Sequence, residues 1–331
     1  MTRPPRRTLI VPFAAPLSEA GRQALQTLAL PRLQRLLAHW APGAPLGRDE
    51  FSPNPPHEQA LAQALGWAGD AAALPDAPLP FAAAQAAALG LDGADPADPA
   101  AAGAGWAWLS PVHLHVGTEQ VSLTEPAALR LDDAASRELL DIVRPLFETE
   151  GFTLHWAEPG RWLARHALFA ELATASLDRV TGRNVDPWLP DQRGARLIRR
   201  LQNEVQMLLY THPVNDRREA AGLPTVNSFW LSGSGRLPAG AAAAGGDAVQ
   251  VDDRLRAPAL AEDWAAWCEA WRALDAGPIA DCAAADAAGP TTLVLCGERR
   301  ALPLAPQPRG LWQSLAARWR APAPLALLET L

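Results

Sequence analysis

Apolar residues recur along this chain with two periods, and their alternation outlines an α/β protein. Residues 8–13 form a short continuous apolar run, the pattern of a buried strand. Residues 18–28 and 31–40 then take a helical period, and in the second Leu33, Leu36, Leu37 and Trp40 share one face. Further helices are expected over 56–67 and 80–89, and the Ala, Gly, Asp and Pro of 91–105 read as a linker. The pattern changes at Gly105. Residues 106–123 alternate like a bent strand or hairpin around Gly117, Asp132 caps a helix through Phe147, and 152–166 is a strand pair turned by Pro159 and Gly160. After loop-like residues 174–190, an amphipathic helix over 193–210 places Leu197, Leu201, Val205, Leu208 and Leu209 inside. A Gly/Ala tract fills 233–249. A helix over 262–274 then spaces Trp264, Trp267 and Trp271 along one face, followed by a strand at 292–296 and a helix at 309–319. The tryptophan stripe reads either as a docking face or as core, and helical spacing is more often core.

The segment between these patterns that carries most information is HPVNDRREAAGLPTVNSFWLSGSG, residues 212–235. Pro213 and Asn215 suit a turn and helix start, Gly222 a helix end, and 226–231 a strand that closes at Gly233 and Gly235. The segment resembles the "HPVN…R…G…AN-I-W-L-W-G-x-G" motif of the archaeal-type, 2,3-bisphosphoglycerate-independent phosphoglycerate mutases of the alkaline phosphatase superfamily. Residues 174–183, TASLDRVTGR, are similar to the TTPPHDITGK-like run of that family, and 185–190 to its "I-x-x-Y-L-P". Leu30-Pro31-Arg32-Leu33 looks like the family's "TPNLDRLA" helix, and 106–166 repeats the strand, helix, strand order of its inserted domain. The resemblance implies an alkaline-phosphatase-like α/β core from residues 1–105 and 171–331, with an inserted α+β domain over 106–170.

Mutases of this type use two divalent metals and a serine nucleophile, and two-metal chemistry needs its full ligand set. Against that pattern, the "DG" ligand pair after the first strand falls on Pro12 and Phe13, and the nucleophile segment "GSDxAxLxLLGY" falls on 56–67 with His57 at the serine. No histidine follows His212, and the C-terminal acids show no DxxxH or DH spacing. The resemblance is therefore to a catalytically degenerate bacterial relative, of the kind labelled phosphoglycerate mutase or RpfE-type regulatory protein. The alternative is a working metal-dependent mutase or another phosphoryl-transfer enzyme.

Composition narrows the partners. The 331 residues, 49% hydrophobic, suffice for a sizeable core, and a net charge of −7 argues against general nucleic-acid binding. All 29 basic residues are arginine, which excludes lysine Schiff-base chemistry. No stretch of eighteen apolar residues is present to cross a membrane. The three cysteines, Cys268, Cys282 and Cys296, form no CxxC, and a reducing cytoplasm fits them best.

Ser176, Asp178 and Arg179 with His212, Asn215 and Arg217 are the candidate ligand-binding residues. Arginine forks suit phosphate or carboxylate, so an anionic small molecule or a protein partner is the expected occupant. No catalytic residue and no cofactor is assigned. His113 and His115, alternating on an expected strand near Glu119, are the only metal candidates, and a strand that happens to carry two imidazoles is the plainer reading. For His212 a structural cap competes with a catalytic role, and for His57 and Glu58 an exposed helix start competes with a phosphorylatable histidine.

Overall fold

The computed structural model describes residues 7–67, 71–91, 103–118, 120–189, 194–238, 240–241, 248–284, 291–307 and 323–331. It is a mixed α/β protein whose contacts divide into two compact units, Met1–Pro75 with Gly245–Leu331, and Asp76–Ala244. The chain enters the first unit with β1 (Arg7–Val11), α1 (Glu19–Gln26), α2 (Pro31–Leu37), β2 (Trp40–Pro42) and α3 (Pro56–Ala64). The second unit holds α4 (Phe81–Ala88), β3 (Gly105–Val112), β4 (Leu114–Val116), β5 (Val121–Leu123), α5 (Asp133–Thr149), β6 (Thr153–Glu158) and β7 (Arg161–His166). It ends with α6 (Leu177–Val180), α7 (Ala195–Tyr210), α8 (Pro213–Ala220) and β8 (Ser228–Gly235). The chain returns to the first unit with β9 (Val249–Val251), α9 (Arg256–Leu260), α10 (Trp264–Leu274), α11 (Ala280–Ala284), β10 (Thr291–Cys296), β11 (Ala301–Pro306) and α12 (Pro324–Leu328).

In the first unit a five-stranded sheet runs β2-β11-β10-β1-β9, with β1 parallel to both β9 and β10 and the other pairings antiparallel. Leu9, Val11, Leu293 and Leu295 pack from one sheet face against Leu33, Leu37, Trp267 and Trp271. Both Trp267 and Trp271 are fully buried, so the tryptophan stripe is core. Ser18 starts α1 by accepting the Gly21 N–H at 3.1 Å. α2 begins with Leu30 and Pro31 and has no cap of its own. Asp275 supplies one from 243 residues away, its carboxylate accepting the N–H of Arg32 at 3.0 Å and of Leu33 at 2.8 Å. Asp275 opens the π-helical turn Asp275–Ile279, where Pro278 lacks the N–H that an α-ladder needs.

Trp40 is not the last turn of α2. The helix closes with short bonds from Ala38 to the Arg35 carbonyl and from His39 to the Leu36 carbonyl, and Pro42 disfavours helix beyond. Trp40 instead pairs with Pro306 and stays buried, which keeps the apolar period of α2 intact to a residue outside it.

In the second unit four antiparallel strands run β6-β7-β3-β8, with β4 and β5 forming a separate hairpin closed by the Gly117 N–H on the Gln120 carbonyl. α5 and α7 bury Leu139, Phe147, Leu201 and Val205 against Leu109, Trp162 and Phe229 on one sheet face. Ala82, Ala83 and Ala86 of α4 pack Trp106 and Leu163 on the other. Asp132 caps α5 through the Ala135 N–H at 2.8 Å. β8 hydrogen-bonds β3 and α7 packs on the same sheet face as α5, so these elements share one sheet and core with β3, β6 and β7. The helix expected over 309–319, with Glu119 and Pro190, lies outside the described residues. No helix among the described residues is long and apolar enough to cross a membrane.

Candidate functional site

The 212–235 motif folds as helix α8, a turn at Ala221–Gly222 and strand β8. β8 starts at Ser228 and runs through Gly233 and Gly235 rather than closing at a glycine turn, because both glycines stay paired with β3 or within its reach. His212 caps α8, its Nδ1 accepting the Val214 N–H at 3.2 Å. Asn215, buried, donates to the carbonyls of Leu209 (2.9 Å) and Val226 (2.8 Å) and accepts the Val226 N–H (2.9 Å). Asn227 clasps Leu114 from the strand side, accepting its N–H at 2.7 Å and donating to its carbonyl at 2.8 Å. Gly222 ends the helix at φ 69° and Gly233 sits at φ 60°. A Cβ on Gly233 would come within 2.6 Å of the Trp108 ring.

The two motif segments do meet. Trp230, 2% exposed, donates its indole N–H to the Ala175 carbonyl at 2.8 Å and packs with Val180 and Val185. Thr174 and Ser234 share a hydroxyl bond of 2.9 Å, and the Ser234 hydroxyl also donates to the Leu172 carbonyl.

Of the candidate ligand-binding residues, Ser176, Asp178 and Arg179 stand together on α6, where Ser176 accepts the Asp178 N–H at 3.2 Å. Ser176 and Arg179 are buried, Arg179 to 2% exposure. Arg217 is in a different setting: its exposed guanidinium pairs with Glu138 at 2.5 Å. The neighbouring Arg218 is the buried one, donating to the Pro224 carbonyl at 2.8 Å and the Leu129 carbonyl at 2.5 Å. Burial pulls the Arg218 pKa down, partly offset by Asp132. The His212 Nδ1 and the Asn215 amide are thus bonded to backbone, while Ser176, Asp178 and Arg179 form one compact polar turn.

His113 and His115 do not share a strand. β3 ends at Val112 and β4 begins at Leu114, because the His113 Nδ1 turns to the Thr225 carbonyl at 2.9 Å and hydroxyl at 3.1 Å, while His115 lies exposed on β4. Among the described residues, no group of three or more His, Cys, Asp or Glu is gathered to hold a metal.

A second location comes from the topology. β1, β9 and β10 are parallel, so their C-terminal ends share one sheet edge, the edge where open α/β sheets bind ligands. Pro12 and Phe13 follow β1 there. Phe13 takes a left-handed φ of 55°, and its ring lies 5.5 Å from that of His57 at the start of α3. The turn is fixed from the core: Trp267 donates to the Phe13 carbonyl at 3.0 Å and Trp271 to that of Ala14 at 3.2 Å. Asp252, after β9, is buried and gripped by Arg254 through two bonds of 2.7 Å. After β10, Glu298 accepts the Leu17 N–H at 3.0 Å. The tryptophan bonds and the Asp252 clamp escaped the sequence reading; the one local signal was an acid two residues before an arginine at the end of a short apolar run.

Three comparisons bear on this geometry. No family model matches the chain. A probable 2,3-bisphosphoglycerate-independent phosphoglycerate mutase from Geobacter sulfurreducens is 26% identical over 121 residues, 35% of this chain and 29% of that protein. This similarity supports a cofactor-independent phosphoglycerate-mutase-like relationship, while spanning less than a third of the curated relative. Among solved structures, the PH0037 protein from Pyrococcus horikoshii aligns over 91% of this chain and 87% of its own, at 14% identity and a TM-score of 0.40. A cofactor-independent phosphoglycerate mutase from Thermoplasma acidophilum aligns over 98% and 99%, at 15% identity and a TM-score of 0.32.

Proposed function

We propose that this chain is a catalytically degenerate phosphoglycerate-mutase-like protein, a cytoplasmic regulatory or ligand-binding relative on an alkaline-phosphatase-like core. The observation that carries the reading is the pairing of Phe13 with His57 at the C-terminal edge of the parallel strands. A dinuclear metal centre there needs carboxylate and imidazole donors converging from several strand ends. Among the described residues, what stands there is an apolar ring packed on the one imidazole, His57, a proline, an aspartate already clamped by Arg254, and a glutamate that accepts a backbone N–H. These residues do not fit the two-metal group.

The same reading makes Arg179 the centre of what remains. A buried guanidinium is stabilised by anionic or carbonyl oxygens around it, and Ser176 and Asp178 stand on the same turn. The proposed ligand is a small phosphorylated metabolite or another anion of similar geometry. Calorimetry of the full chain with a panel of phosphorylated metabolites is the test, repeated on Arg179→Ala with Arg217→Ala after circular dichroism shows the variant folded. Saturable binding lost in the folded variant supports the ligand-binding reading. No binding by the parent across the panel assigns the α6 turn to packing alone.

A further inference from the structure

At the N-terminal ends of β1, β9 and β10, the end of the sheet opposite Phe13 and His57, parallel register sets Arg7 beside Thr291 and Leu9 beside Gln250. Residues two apart on a strand and partners across a parallel pair share a side, so these four leave one sheet face together. The π turn and α11 pass over that face and bring Pro278, Asp281 and Cys282 above it, enclosing an open crevice of about 240 Å³. The roof is anchored, because Asp275 is tied to the N-terminus of α2 and Ile279 is fully buried. Single π turns interrupt a regular helix and recur at functional sites.

Two walls of the crevice carry opposite charges. Arg7 and Asp281 are both exposed, and among the described residues neither side chain has an ion pair or a hydrogen-bond partner. An arginine fork holds a carboxylate, and a carboxylate holds an ammonium. A lone anion would also meet Asp281 and a lone cation would also meet Arg7, so each charge rejects what the other attracts. A molecule that carries both charges satisfies both. The surface between them is apolar, with Leu9 as floor and Pro278 and Cys282 as roof. Burial, with Asp281 adding to it, pushes the Cys282 thiol up to about 11, so its sulfur is neutral and packs as a small apolar group.

We propose that this crevice binds a free α-amino acid with a short aliphatic side chain, its carboxylate on Arg7, its ammonium on Asp281 and its side chain between Leu9, Pro278 and Cys282. The Gln250 amide carbonyl, on the same wall as Leu9, is a second acceptor for the ammonium. Pockets for drug-sized ligands run to about 300–1,000 Å³, so a crevice of about 240 Å³ suits a smaller metabolite and excludes a peptide or a dinucleotide. All of its lining residues lie in the first unit, so this site is separate from the anion site proposed at α6 in the second.

Calorimetry of the full chain with glycine, L-alanine, L-valine and L-leucine is the test, with the deaminated acid and the decarboxylated amine of each as analogues that keep one charge. Saturable binding of at least one amino acid is expected, about tenfold or more tighter than of either of its analogues. Arg7→Met and Asp281→Asn should each weaken it by a similar factor, and both residues are exposed, so the core is untouched. Ala248→Leu, which fills the crevice from the β9 side, should abolish binding with both charges still in place. No binding of any of the four amino acids at millimolar concentration overturns the proposal. So does equal binding of a one-charge analogue, or an affinity left unchanged by either charge substitution or by Ala248→Leu.

Discussion

The α8–β8 motif and the C-terminal edge of the parallel strands differ in how their polar groups are used. In the motif, Asn215, Asn227 and Trp230 keep polar side chains and satisfy each of them with backbone groups. At the strand edge, positions that the resemblance assigns to metal chemistry hold Pro12, Phe13 and His57, and the nearby Asp252 is neutralised by Arg254. Architecture and chemistry are separable demands on a sequence: the first is met by burying and pairing groups, the second by leaving them exposed to a ligand. This chain meets the first at both places.

Substitutions in the two regions sharpen that contrast. Trp230→Ala has the largest expected effect, a loss of roughly 3 to 5 kcal/mol, because a buried indole leaves a cavity and orphans the Ala175 carbonyl. An unchanged denaturant midpoint would remove Trp230 from the core. Asn215→Ala should cost about 3 kcal/mol, near 1 for each lost backbone bond, and urea unfolding measures it. A cost below half of that means water replaces the amide and the clasp is not structural. In the first unit, Asp275→Ala uncaps α2 and should cost about 1 to 2 kcal/mol. Hydrogen exchange at Arg32 and Leu33 would speed up accordingly, and unchanged exchange there would show that the remote cap contributes nothing.

The smallest effect is with pH. Burial is the leading cause that holds both His155 and His166 below the usual histidine value of 6.5, aided at His155 by Arg144 and Arg165 and opposed at His166 by Glu150. The unfolded chain then binds more protons below that value than the folded one, so this contribution is complete above pH 6.5 and declines as pH falls through it. Stability of the second unit should fall gently from neutral pH toward pH 5, and His155→Gln with His166→Gln should flatten the slope in that window. An unaltered slope assigns it to carboxylates instead.

Much of this was legible from residues with local rules. Asp132, Ser18, Pro213 and Gly222 mark helix ends because capping and backbone conformation are set within a few positions, and the helical spacing of Trp267 and Trp271 favours core over a docking face, as their burial bears out. What stayed hidden depends on distant partners. β11 carries Pro303 and Pro306, which argue against a strand, yet it lies between β10 and β2 and uses the Pro303 carbonyl to accept the Gly43 N–H at 2.8 Å. Asp275 caps a helix far away in sequence, and Thr225 breaks a strand at His113 from across the sheet. In the candidate site, the sequence points to His212 and Asn215, while the engagement of the His212 Nδ1 and the Asn215 amide with backbone depends on the folded structure. Nor could it distinguish Arg217, exposed on Glu138, from Arg218, buried against two carbonyls.

The most direct test of the degenerate reading is turnover of 3-phosphoglycerate to 2-phosphoglycerate by the purified full chain after reconstitution with manganese and with zinc, with metal content determined on the same sample. The account predicts no tightly held pair of metal ions and no conversion above the uncatalysed rate. Two equivalents of retained metal with metal-dependent conversion would contradict it and make the chain a working mutase with a rebuilt site.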